Sequence, residues 1–163
     1  MSAGSPPPEA LAGEGAPARR EPGCLVCQKL AGEGPLADAP LVYEDELLVV
    51  SHPADEDVRT YLGLLVVETR RHVPSLAELT EAEAARIGVL ETRLARALLA
   101  EGAEHVYSFV FDHVPHHHVE LTARYPGTPR ELWGRAASFW PGAPHGERHE
   151  VVSFCERLSA RLA

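Results

Sequence analysis

A histidine-rich segment constrains this chain more than any other feature of its sequence. The segment from Asp112 to Arg124 holds four of the chain's nine histidines. From Val114 onward it contains apolar and β-branched residues and then a Tyr-Pro-Gly turn, a pattern that predicts a β-strand. Adjacent side chains on a strand point to opposite faces. The strand therefore places His116, His118 and Glu120 on one face.

Two imidazoles and a carboxylate on one strand face are an unusual set for a hydrophobic core. Imidazole serves in proteins as a metal ligand, a nucleophile or an acid–base group. A solvated histidine run or the remnant of a tag is the alternative, but a tag lies at a terminus and lacks a flanking strand pattern. We expect this face to carry a metal site, a nucleophile or both, with His117 pointing to the opposite face.

Length, charge and cysteine content exclude several classes of protein. With 163 residues, the chain is long enough for one domain with a substantial core. A net charge of −9 argues against binding to nucleic acid or to an anionic membrane. No apolar run approaches the length of a membrane span, and no signal-peptide pattern is present. Three cysteines do not form a disulfide framework, so we expect a cytoplasmic protein.

The N-terminal part divides into a tail and a cysteine pair. Residues 1–22 are rich in Ala, Gly, Pro and charge, which predicts a disordered tail and a folded domain over 23–163. The gap between Cys24 and Cys27 lets both sulfurs bind one metal ion, as in structural zinc sites. A redox pair is the alternative, but such a pair usually begins a helix after a strand. Zinc is therefore favoured, with its other ligands among the histidines.

The rest of the chain predicts an α+β domain with five strands. The predicted strands are Leu41–Glu44, Leu47–Val50, Leu62–Val67, Val106–Phe111 and the histidine-rich strand. A capping box of Thr80 and Glu83 begins a long helix. One face of that helix is apolar, and Gly102 ends it. A short amphipathic helix over Glu150–Leu162 carries Cys155, which we expect to be a buried free thiol.

Several separated motifs occur in an order that resembles the histidine triad (HIT) superfamily. They are Cys-x-x-Cys, a Val-Tyr-Glu-Asp hairpin, Arg-Arg-His-Val after a strand, and Val-Pro-His-x-His-Val before Ala-Arg-Tyr-Pro-Gly. The resemblance covers roughly Cys24 to Pro129 and leaves about 128–163 as a C-terminal extension. It implies a HIT-like fold, with a five-stranded, mainly antiparallel sheet, one long helix packed on it and a short C-terminal helix.

The resemblance implies that His118 is a nucleophile. In HIT proteins the middle histidine of the His-φ-His-φ-His motif attacks the α-phosphorus of a nucleotide ester, anhydride or phosphoramidate, forming a nucleotidyl-histidine. Alignment through Val114 and Arg124 makes His116 the first histidine, His118 the second and Glu120 the third position. The implied function is a HIT-type hydrolase or nucleotidyltransferase that acts on a small nucleotide or nucleotidyl conjugate. Such units often pair, so a homodimer is expected.

The resemblance also supplies the missing zinc ligands. Some HIT proteins bind zinc through a Cys-x-x-Cys, the histidine after the third strand and the first triad histidine. The corresponding residues here are Cys24, Cys27, His72 and His116. Four protein ligands complete a tetrahedron with no open position, so one structural zinc ion per chain is expected.

Three departures from the family pattern concern the substrate. Glu120 replaces the third histidine, and a carboxylate repels phosphate unless it is protonated or paired with a cation such as Arg124 or Arg70. The family's ribose-binding Asp is missing near His52, and its phosphate loop is shortened before the triad.

The candidate site residues follow from this alignment. The catalytic candidates are His118, His116 and Glu120, and the substrate-binding candidates are His113, Asp112 and Arg124. The same departures leave an alternative open, a non-catalytic, zinc-stabilised HIT-like binding or accessory module.

Overall fold

A computed structural model describes residues 20–111 and 113–163. Most of the predicted tail and the substrate-binding candidate Asp112 lie outside these ranges. In chain order the elements are α1 (Leu25–Leu30), β1 (Leu41–Glu44), β2 (Leu48–Ser51), β3 (Thr60–Tyr61), β4 (Leu64–Thr69), α2 (Glu81–Ala100), β5 (His105–Val110), β6 (His118–Arg124), β7 (His145–Gly146) and α3 (Arg148–Ala160). No helix in the described ranges is long and apolar enough to cross a membrane.

The main sheet has five strands in the order β1-β2-β4-β6-β5, and every neighbouring pair is antiparallel. The predicted α+β architecture with a five-stranded sheet is confirmed. The strands β3 and β7 form a second, two-stranded sheet that the sequence pattern did not predict. The strand β5 lies at one edge of the main sheet and β1 at the other.

Interactions between residues close in the sequence determine where helix α2 begins and ends, as the sequence predicts. The Thr80 side chain accepts a hydrogen bond from the Glu83 N–H, and the Glu83 carboxylate accepts one from the Thr80 N–H. This reciprocal capping satisfies two N–H groups that a helix start leaves unpaired. The helix stops before Gly102, whose φ of 102° favours glycine.

The hydrophobic core lies on one face of the sheet, under α2 and α3. Alternate residues of the strands β4 and β6 point into it, and the two helices supply the opposing side. The central buried side chains are Leu65, Val67, Leu90, Leu94, Val119, Leu121, Phe154 and Leu158. Cys155 is also buried there as a free thiol, as predicted.

The opposite face of the sheet, called here the outer face, carries the polar residues of interest. Directly paired residues on neighbouring strands share a face, and the register pairs Val49 with Glu68 and Glu68 with His118. At one end of this face, α1 approaches through Lys29, which is hydrogen-bonded to Ser51. At the other end, the segment after β6 covers the sheet.

Strand β6 begins at His118, not near Val114 as predicted. Pro115 has no N–H to donate to a neighbouring strand. The N–H of His116 donates to the Val114 carbonyl, and that of His117 donates to Val73. The alternation of side chains therefore applies from His118 onward, and it places His118 and Glu120, but not His116, on the outer face.

Candidate functional site

The four predicted zinc ligands lie together. Cys24, Cys27, His72 and His116 are all buried, and their ligand atoms lie within 4.8 Å of one another. The Nδ1 of His116 is 3.4 Å from Cys24 Sγ and 3.7 Å from Cys27 Sγ, and the Nδ1 of His72 is 3.4 Å from Cys27 Sγ. Bond lengths at tetrahedral zinc imply sulfur–nitrogen separations of about 3.6 Å. The four side chains therefore fit a tetrahedral zinc ion.

Three parts of the chain position these ligands. Cys24 precedes α1 and Cys27 lies within it, while His72 follows β4 and His116 precedes β6. The ring of His116 is oriented by its Nε2, which donates to the Thr69 carbonyl over 2.8 Å. Its Nδ1 is left with a lone pair that faces the two sulfurs, the arrangement by which proteins usually orient metal-binding histidines.

Burial sets the protonation of this group. It lowers the pKa of His116 to about 4, so the imidazole is neutral and available as a ligand at pH 7. It also raises the pKa of the Cys27 thiol. A thiolate is the form that binds metals, and a nearby divalent cation favours it. The neutral imidazole and the two closely spaced thiols are therefore suited to a divalent cation, which would favour the thiolate form.

A second group lies on the outer face and consists of His113, His118 and Glu120, whose ligand atoms also lie within 4.8 Å of one another. The His118 Nδ1 donates to the His116 carbonyl over 2.8 Å. In neutral His118 the Nε2 therefore carries the lone pair. The ring of His113 lies edge-on to that of His118, with 5.0 Å between the centroids.

The structure divides the three catalytic candidates. His118 and Glu120 stay together on the outer face, whereas the His116 side chain joins the cysteines and only its carbonyl contacts His118. His113, a substrate-binding candidate, takes the position beside His118. Arg124, the other substrate-binding candidate in the described ranges, lies four residues from Glu120, or about 13 Å along the strand.

Neither Arg124 nor Arg70, the two arginines that could offset the charge of Glu120, pairs with it. Arg124 binds Glu104 and the Tyr107 hydroxyl, both over 2.9 Å, and stacks on Trp133 with 3.9 Å to the ring centroid. Arg70 pairs with Glu44 of the edge strand β1. Pairing with Arg124 or Arg70, one of the ways in which the charge of Glu120 could be offset, is not found, because both guanidinium groups are held by nearer partners.

Sequence reasoning missed a buried ion pair beside His118. Glu68 lies directly opposite His118 on β4 and is 3% exposed, and it pairs with Lys29 of α1. Burial raises the pKa of Glu68, and the Lys29 ammonium partly offsets that effect. A carboxylate within the otherwise apolar run of β4 was the signal that could have indicated it, since buried charges are paired.

A cavity of about 340 Å³ opens on the outer face near this ion pair. Lys29 and Val49 line it, together with Arg70 and Arg148. Val49, Glu68 and His118 form one row across three strands, so the cavity wall lies about 10 Å from the His118 position. Its volume is in the range of small-molecule sites.

Comparisons with known proteins identify the fold. No protein-family model matches the sequence, and curated proteins give no significant match. Among solved structures, a HIT-like protein involved in cell-cycle regulation from Bartonella henselae matches with a TM-score of 0.64 and 14% identity, covering 86% of this chain and 97% of that one. The chain has the histidine triad fold.

Two further histidine triad structures support this assignment. A zinc-bound histidine triad family protein from Mycobacterium smegmatis has a TM-score of 0.60 and 19% identity, covering 86% of this chain and 93% of that one. A histidine triad protein from Sinorhizobium meliloti has a TM-score of 0.57 and 21% identity, covering 77% and 90%. The resemblance predicted from the sequence motifs is confirmed at the level of the fold.

Proposed function

We propose that this protein is a HIT-type nucleotidyl hydrolase or transferase with His118 as its nucleophile. One observation carries the proposal: the hydrogen bond from His118 Nδ1 to the His116 carbonyl leaves the Nε2 lone pair free in the neutral imidazole. An uncharged nitrogen with a fixed orientation is the form that attacks phosphorus.

The reaction divides into two displacements. The Nε2 of His118 bonds to the α-phosphorus of a nucleotide ester, anhydride or phosphoramidate while the bond from phosphorus to the leaving group breaks. The leaving group departs with the electron pair and takes up a proton. Water or another acceptor then attacks the same phosphorus, and the phosphorus–nitrogen bond breaks to restore the imidazole.

The metal centre has a structural part in this proposal. Cys24, Cys27, His72 and His116 would hold one zinc ion, and four protein ligands would leave no coordination position for a substrate. Fixing His116 also fixes the carbonyl that selects the tautomer of His118. The chain's own residues thus connect the metal centre to the orientation of the nucleophile.

The cavity beside Lys29 is proposed as the place of the nucleoside part of the substrate. It lies on the same face as His118, at a distance that a nucleoside monophosphate spans. Its cationic side chains are Lys29, Arg70 and Arg148, and each of them is paired with a carboxylate. Because the chain has a net charge of −9, an anionic substrate would need one of these cations to exchange its carboxylate partner for the phosphate.

A second candidate is a non-catalytic, zinc-stabilised binding module. Glu68 and Glu120 support it, because His118 has one carboxylate opposite it on β4 and another two residues along β6. Lys29 offsets Glu68 only. Ionised Glu120 repels a bound phosphate.

Mass spectrometry separates the two candidates. The zinc-loaded protein is mixed with a panel of nucleoside phosphoramidates and dinucleoside polyphosphates, and peptides are searched for a nucleotidyl group on His118. The enzyme proposal expects this adduct in the wild type, its loss in His118→Ala and its retention in His117→Ala. Zinc content should stay at one per chain in both variants.

The contrary results are equally specific. If no substrate gives an adduct or turnover, while a nucleoside monophosphate raises the melting temperature, the binding module is the correct function. If His117→Ala abolishes the adduct and His118→Ala does not, the nucleophile is misassigned.

We also propose that the protein forms a homodimer through the edge strand β5. An edge strand offers unpaired backbone groups to a second chain. Large apolar side chains are exposed on β5 and on α2, at Val110, Val89 and Leu99. Light scattering coupled to gel filtration should give twice the chain mass, and a monomer at micromolar concentration would contradict this assembly.

A further inference from the structure

We propose that His113, His118 and Glu120 form a second metal site, open to solvent and selective for divalent transition metals. It is separate from the buried cysteine–histidine group, since the two groups share no residue. Metal binding here goes beyond the proposed function and does not depend on it.

The geometry requires only small side-chain movements. The three ligand atoms lie within 4.8 Å of one another, and bond lengths at tetrahedral zinc imply nitrogen–nitrogen separations of about 3.3 Å. The atoms therefore need to approach by about 1.5 Å at most. His113 is exposed in the turn before β6, and Glu120 has a long, partly exposed side chain. Both can rotate toward His118, which β6 holds in place.

His118 is already oriented as a metal ligand. Metal-binding histidines usually donate their second ring N–H to a carbonyl or carboxylate, which fixes the tautomer. The His118 Nδ1 does this with the His116 carbonyl, so its Nε2 is the available donor atom. The site thus contains one preformed ligand, His118, and two adjustable ones.

The donor set indicates the class of metal. Two imidazole nitrogens and one carboxylate oxygen suit zinc, cobalt, nickel and iron(II), and they leave coordination positions for water. Calcium and magnesium prefer oxygen ligands and are not expected to bind. The Glu68 carboxylate lies directly opposite His118 and adds negative charge near the ion, although Lys29 partly compensates it.

Metal binding at this site has a consequence for catalysis that rests on the proposed function. The ion and the phosphorus atom compete for the same Nε2 lone pair of His118. A divalent metal should therefore inhibit nucleotidyl transfer, with the inhibition following occupancy of this site. The metal in the cysteine–histidine group should remain bound throughout.

A cobalt titration tests the site directly. Protein loaded with one equivalent of zinc is titrated with Co²⁺, and calorimetry and visible absorption are recorded. We expect a further equivalent to bind without a thiolate-to-metal charge-transfer band, because this site contains no sulfur. Glu120→Gln and His113→Ala should each weaken binding at least tenfold. His105→Ala, which removes an exposed histidine outside the cluster, is the matched control and should bind as the wild type does.

Two results would overturn the site. One is zinc-loaded protein that takes up no second equivalent. The other is a second equivalent whose affinity is unchanged in both Glu120→Gln and His113→Ala. Circular dichroism of each variant confirms that it is folded.

The experiment distinguishes failure of the metal site from failure of the proposed inhibition. If the second ion binds through these residues but adduct formation on His118 is unaffected, the metal site stands, and the ion does not compete with phosphorus for the Nε2 of His118. If adducts form but no second ion binds, the metal site is wrong and the proposed function stands.

Discussion

Replacing Cys24 by serine tests whether a metal ion is what holds α1 on the domain. Ordering the backbone of the six residues of α1 costs on the order of 6–12 kcal/mol. The apolar cluster formed by α1 has only its own Val26 and Cys27 and its N-cap Cys24 as buried members, and it is separate from the main core. Of these three, only Val26 is an aliphatic side chain, and its full burial returns about 1.5–3 kcal/mol.

Burial of apolar side chains therefore returns less free energy than the ordering of α1 costs, and a bound metal ion would supply the difference. A buried ion pair such as Lys29–Glu68 adds little net stability after desolvation. A structural zinc ion contributes about 10–16 kcal/mol in small metal-dependent domains, which is enough to hold α1. We therefore expect Cys24→Ser to release α1 locally while α2 and the main core remain folded.

Hydrogen exchange measures this release residue by residue. The N–H groups of Gln28 and Ala31 donate to the carbonyls of Cys24 and Cys27 and report on α1. Their protection should fall by at least tenfold in Cys24→Ser, and equally in the wild type treated with a strong chelator. Amides of α2 should keep their protection, since none of the α1 residues belongs to the main core.

Cys155→Ser is the matched control. That thiol is buried in the main core, where burial raises its pKa to about 12, and it lies outside the metal group. The control should lower global stability while leaving zinc content and α1 protection unchanged. If α1 stays protected in Cys24→Ser, or if chelation leaves α1 unaffected in the wild type, the metal does not anchor this helix.

Three further predictions concern other parts of the domain. Burial raises the pKa of Asp45, but hydrogen bonds from backbone N–H groups, a tyrosine hydroxyl and Arg86 outweigh it and hold the pKa at about 2. Its stabilising contribution is therefore present above pH 4 and is lost as the pH falls toward 2. In urea unfolding, the free energy of unfolding of Asp45→Asn should therefore fall over this pH range by about 1 kcal/mol less than that of the wild type. Thr80→Ala should lower the free energy of unfolding by about 1 kcal/mol, because the Glu83 N–H loses its cap. Arg124→Ala should lower the melting temperature without changing nucleotide affinity in calorimetry; a large affinity loss would restore Arg124 as a substrate-binding residue.

Local sequence signals predicted the elements that depend on local interactions. The capping box of Thr80 and Glu83 fixed the start of α2, and apolar runs located the central strands. The start of β6 was predicted too early, because the pattern of residue types did not account for the missing N–H of Pro115.

Long-range pairings were beyond local patterns. Cys24 and His116 are 92 positions apart, and only the resemblance to a known arrangement of motifs brought them together. The Lys29–Glu68 pair spans 39 positions and has no motif to indicate it. Side-chain partners at such distances depend on strand register and helix placement, which the sequence pattern does not specify.

In the proposed reaction, the hydrogen bond between His118 and the His116 carbonyl sets the fraction of time that His118 spends in its reactive tautomer. If the His116 backbone loses its fixed position, the His118 ring redistributes between its two tautomers. Only the fraction with the proton on Nδ1 is competent, and the observed rate is the intrinsic rate multiplied by that fraction. A metal-depleted sample should then show a lower burst rate with an unchanged burst amplitude in active-site titration, because imidazole tautomers exchange protons with water much faster than turnover.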